Sequence, residues 1–219
     1  VSIVLAAIAL ATTVLALRHT GLSLSRTPLF AWSVAVASIL WVLTLPVLGG
    51  ILVLLYVDHR HGAASLGGNA DIYPRLLWVL RNPQIYTLAI PVLGFAGDAL
   101  ATTARARLAP RGVVVGAIGA FGVASFGAFL AGADAGTYDS VVVVAMSLIA
   151  VVPVLALLGV VGDVVRRGGS FRVTAGALYA VAALLVLLVG TVAAAIGSFP
   201  AVEATGTIFD LGVSHAVVL

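Results

Sequence analysis

Six long apolar runs leave this chain few folds to choose from. They lie at residues 2–17, 28–57, 74–103, 112–133, 140–162 and 173–197, and a seventh starts near 206 and runs to the end. A helix needs about 20 apolar residues to cross the hydrocarbon of a bilayer. Apart from the first and the truncated last, these runs exceed that scale, and none shows the polar–apolar alternation of barrel strands. Only 9% of the residues are charged, against roughly a quarter in a soluble domain, and the mean hydropathy is +1.23. The expected fold is therefore all-α: a polytopic transmembrane bundle of about seven helices, forming one integral membrane domain over residues 1–219. Its first partner is the lipid bilayer, with no nucleic acid. The second and third runs are long enough to tilt or to project beyond the membrane. The chain opens and closes inside apolar runs, which is the pattern expected of a piece of a longer protein.

The short connections make neighbouring helices antiparallel, so successive loops alternate sides. The loops near 18–27, 104–111 and 163–172 carry Arg18, Arg26, Arg105, Arg107, Arg111, Arg166, Arg167 and Arg172. The opposite side carries Arg60, Arg75 and Arg81 with Asp58, Asp71, Asp134, Asp139 and Glu203. The positive-inside rule places the arginine-rich loops in the cytoplasm. There is no cysteine, which excludes disulfides, zinc–thiolate sites and iron–sulfur clusters. The 24 glycines, with many alanines, suit close helix packing in lipid, although genome composition accounts for them equally well.

Two motifs are more specific than any of this. Arg26-Thr27-Pro28-Leu29-Phe30-Ala31-Trp32-Ser33 is followed by Leu45-Pro46-Val47-Leu48-Gly49-Gly50, and Asn82-Pro83-Gln84-Ile85-Tyr86 is followed by Pro91. Together they resemble the middle of subunit I of the heme-copper terminal oxidases, with its R-x-P-L-F-x-W, S-L-P-V-L-A/G-G and H-P-E-V-Y signatures. The resemblance covers the chain from about Leu10 to Leu219 and is sharpest over 26–50 and 82–91. It implies a cytochrome c oxidase subunit I-like membrane protein, from a family that passes electrons to dioxygen and translocates protons.

The same resemblance implies that the chemistry has changed. The family's first copper-binding histidine falls on Asn82, and its proton-moving glutamate on Gln84. Its histidine pair aligns with Ala133 and Asp134, and its membrane-embedded lysine with Leu157. Copper sites of this kind take imidazole ligands, so copper is not expected. Tyr86 matches the active-site tyrosine, yet without the histidine it is read first as a tyrosine packed between helices. Gly206-Thr207 and Ser214-His215 resemble the family's last heme-binding segment. His215 there is a candidate low-spin heme ligand, with a hydrogen-bonded structural histidine as the alternative.

Other features are weaker. Asp58-His59-Arg60-His61-Gly62 reads as a solvated loop rather than a metal site. Asp98 stands in an apolar run two helical turns before Arg105, which makes Arg105 its expected partner, with a link in a proton path as the alternative. Arg81 is expected to snorkel to the outer surface, and Pro46, Pro83, Pro91 and Pro153 to kink their helices. The expected setting is a prokaryotic plasma membrane, with other oxidase subunits as partners. Two other classes fit the same features: a non-redox scaffold or assembly subunit, and a transporter-like bundle.

Overall fold

The computed structural model describes residues 2–17, 21, 23–62, 72–105, 111–130, 139–168 and 173–199; of these, 25, 72–85, 126–130, 139, 140, 143, 168 and 197 are described by their backbone alone. Within them are six α-helices: α1 (Ser2–Leu15), α2 (Leu29–His61), α3 (Ile72–Ala104), α4 (Arg111–Leu130), α5 (Asp139–Gly168) and α6 (Ala175–Gly197). A 3-10 turn at Leu24–Arg26 leads into α2. The seventh expected helix lies outside the described residues.

The helices begin near the expected positions, and two end later. α2 continues past residue 57 because His59, Arg60 and His61 occupy its last turn, where positive charge complements the exposed carbonyls. It stops at Gly62, whose φ of 63° is the left-handed conformation suited to a glycine after a helix. At 33 residues, α2 is about 50 Å long, well beyond the ~30 Å hydrocarbon layer. α5 continues to Gly168 through a charged turn in which Asp163 pairs with Arg166 (3.5 Å) and with Arg167. α6 starts cleanly because the Thr174 hydroxyl oxygen accepts the Ala177 N–H at 3.3 Å.

Helix α3 is the hub. It packs against α2, α4, α5 and α6, while α1 packs on α2, and α4, α5 and α6 follow one another. The buried core runs along this hub through Ile90, Leu93 and Leu100 of α3, Ile118 and Phe121 of α4, Val154 of α5 and Leu184 of α6. The outer faces expose Leu52, Val53, Val123, Val152 and Val189, a surface suited to lipid rather than water. Four described helices are long and apolar enough to span a membrane: Leu29–His61, Tyr86–Ala104, Val144–Arg167 and Ala175–Ile196. Ser2–Leu15 and Arg111–Ser125 are apolar but shorter.

Two glycines set the closest approaches. A Cβ on Gly94 of α3 would lie 2.6 Å from the Leu29 carbonyl oxygen and would overlap Ser33 Oγ of α2. One on Gly122 of α4 would lie 2.6 Å from Val36 Cγ1. Several buried hydroxyls bond back within their own helices: Ser33 to the Phe30 carbonyl, Thr44 to Leu40, Ser125 to Phe121 and Thr191 to Leu188. In a medium without water this removes the cost of burying them. Among the described residues only Ser38 Oγ is buried without a partner.

Candidate functional site

The first signature motif, residues 26–33, lies where the start of α2 meets α3 and α4. α2 begins after Pro28, which has no side-chain acceptor for the free amides of the first turn. The acceptor comes from a different helix. Asp98 Oδ2 accepts the Phe30 N–H at 3.0 Å, and Oδ1 accepts the Leu29 N–H at a longer 3.4 Å. A carboxylate at a helix N-terminus is favoured both by these bonds and by the helix dipole. The partner of Asp98 is thus the start of α2, not Arg105. Arg105 stands just past the end of α3 with φ of 50°.

Two further bonds close this junction. The Trp32 indole N–H donates to the Val115 carbonyl of α4 at 3.2 Å, and the Arg111 guanidinium donates to the carbonyl of the buried Thr27. The R-x-P-L-F-x-W signature therefore supplies a docking segment. Leu29 fills the core, Trp32 reaches α4, and Pro28 leaves amides for Asp98. Sequence reasoning missed these pairings. The signal available was Pro28, a residue that cannot cap the helix it precedes.

Further along the hub, α3 runs unbroken from Ile72 to Ala104, so positions 82 and 86 lie one turn apart on the same face. The ring of Tyr86 packs against Phe121 with centroids 6.0 Å apart and an angle of 53°, within the range of favourable aromatic pairs. It borders the core that contains Ile90, Ile118 and Phe121. Position 157, where the resemblance implies a lysine, holds Leu157 at 3% exposure, with Val154 beside it fully buried. This face of α5 is apolar and closed. Asn82 and Gln84 lie within α3, whereas Ala133, Asp134 and His215 lie outside the described residues. Asp58 to His61 form the end of α2 rather than a loop. Among the described residues, no three His, Asp or Glu side chains come together as a metal-binding group.

Comparison with known families decides the relationship. The family model for cytochrome c and quinol oxidase polypeptide I matches residues 1–219. The chain belongs to the cytochrome c and quinol oxidase polypeptide I family. It is 35% identical over 129 residues to cytochrome c oxidase subunit 1 of Cereibacter sphaeroides, covering 57% of this chain and 23% of that protein. It is 37% identical over 100 residues to cytochrome bo(3) ubiquinol oxidase subunit 1 of Buchnera aphidicola subsp. Acyrthosiphon pisum (strain APS), covering 44% of this chain and 15% of that protein. The matches thus span less than a quarter of either relative. A subunit I relative is an integral membrane helix bundle, in agreement with the apolar helices of this chain.

Proposed function

We propose that the chain is a subunit I-like membrane protein of the heme-copper oxidase family that does not itself reduce dioxygen. The observation that carries this reading is Asn82. It occupies the copper-histidine position of the family motif, one helical turn before Tyr86 in the unbroken helix α3. A neutral amide is a far poorer copper ligand than an imidazole. Ala133 has no donor atom, and Asp134 offers a carboxylate where the family pattern has imidazole. Copper does not fit this donor set. The proton route changes in the same direction. Gln84 does not ionise, and Leu157 gives α5 a closed apolar face. Buried hydroxyls such as Thr44 and Ser125 are already bonded to their own helices.

Heme stands differently, because one suitable donor remains. His215 is the histidine that the family pattern assigns to the low-spin heme, and a neutral imidazole there would hold the iron from one side. A heme so bound would supply a one-electron redox centre. The partners of such a protein are the bilayer and other oxidase subunits, in the plasma membrane of a prokaryote. The second reading, a scaffold that keeps the fold after losing its metals, is favoured by Leu157 and by the sealed packing around Phe121.

The optical spectrum of the purified full-length protein separates the two. A reduced low-spin heme band that disappears in His215→Ala, with helical content unchanged, is the expected result. A spectrum with no heme band favours the scaffold. A heme band unchanged in His215→Ala places the heme on another ligand and rejects the assignment of His215.

A further inference from the structure

One end of the bundle gathers the arginines. The start of α2, the end of α3 and the start of α4 meet through the Asp98, Arg111 and Trp32 bonds. Arg26 and Arg105 stand at the same junction, just before α2 and just after α3. Both are exposed, and among the described residues neither guanidinium has an acceptor. Two described carboxylates stand at this end of the bundle. Asp98 serves the amides of α2, and Asp163, at the end of α5, serves Arg166 and Arg167. Among the described residues the junction therefore carries net positive charge, with Arg26, Arg105 and Arg111 against the one carboxylate of Asp98.

A second observation fixes what surrounds it. α6 begins at this same end, one short connection after α5, and its Tyr179 is 73% exposed. Tyr56, toward the far end of α2, is 65% exposed. Tyrosines on the outer faces near both ends of an apolar bundle mark the levels of the lipid headgroups. Arg26 and Arg105 are thus at headgroup depth, beside faces that only lipid tails suit.

We propose that this junction is a seat for anionic phospholipid, with Arg26 and Arg105 holding the headgroup phosphate. The guanidinium is planar, stays charged and matches phosphate oxygens through paired N–H donors. The occupant is a lipid because exposed apolar side chains, Leu24 and Phe30 on either side of Arg26 and Val113 at the start of α4, stand at the same end of the bundle. Juxtamembrane arginines of this kind each strengthen binding to an anionic surface by about fivefold.

The test is native mass spectrometry of the full-length protein released from vesicles of equal phosphatidylglycerol and phosphatidylcholine. The expected result is retained phosphatidylglycerol in excess over phosphatidylcholine. That excess falls about fivefold in Arg26→Gln and in Arg105→Gln, and stays unchanged in Arg60→Gln at the opposite end. Arg26→Lys with Arg105→Lys should keep most of it, which guards against misreading a folding defect. Equal retention of the two lipids overturns the proposal. So does an excess that survives the double glutamine variant with its helical content intact.

Discussion

Gly94→Val should prevent the chain from reaching its native packing, and it should be the most damaging single substitution in the described core. Even the Cβ of an alanine at this position would lie 2.6 Å from the Leu29 carbonyl oxygen. That oxygen is backbone and cannot rotate away as Ser33 Oγ can. Relief requires α2 and α3 to separate, and separation breaks the Asp98 bonds and opens the core around Leu29 and Leu93. Overpacking of this kind costs about 3 kcal/mol or more, a large share of the total stability of a domain. The check is the thermal melting of detergent-purified protein beside Gly116→Ala, where an added Cβ meets nothing within 4 Å. Gly116→Ala should melt at or above the parent temperature, since alanine favours a helix over glycine. A Gly94→Val variant that melts with the parent would show that the two helices are not held this closely.

Asp98→Ala should be the next most damaging change. It leaves the Leu29 and Phe30 amides without an acceptor at the edge of the apolar layer, at a cost of about 1–3 kcal/mol. Asp98→Asn keeps an oxygen that accepts from Phe30 and should lose less. The comparison also separates the two roles open to an acidic residue in a membrane. If Asp98 caps α2, asparagine largely replaces it. If it must carry a proton, asparagine fails as completely as alanine. Hydrogen exchange at Leu29 and Phe30 supplies the local readout, with faster exchange expected in Asp98→Ala and near-parental exchange in Asp98→Asn. Equal loss of stability in both variants would contradict the cap.

What the sequence showed and what it hid follow from the range of each interaction. The order and approximate positions of the six described helices were legible because an apolar run is local, and a helix bundle accommodates so many of them in lipid. The ends of α2 and α5 were placed too early because charged residues look like loops. Here His59 to His61 and Arg166 to Arg167 complete last turns whose carbonyls they complement. The partner of Asp98 was not legible. Arg105 is near in sequence, whereas the amides that bind Asp98 lie 68 and 69 residues away, and backbone amides leave no mark in a sequence. The residues at positions 82 and 157 were legible as identities, and their match to family positions rests on the resemblance of the neighbouring motifs. How they pack was not. That Leu157 closes a face rather than lining a path required the position of α5 against α3.

On the function proposed above, Asn82, Ala133 and Asp134 leave this chain without a copper centre. Copper content per chain, measured by elemental analysis after gentle detergent extraction from cells supplied with copper, tests it most directly. The expected result is far less than one copper per chain, with no change on brief chelation. About one tightly held copper per chain, surviving chelation, would contradict it.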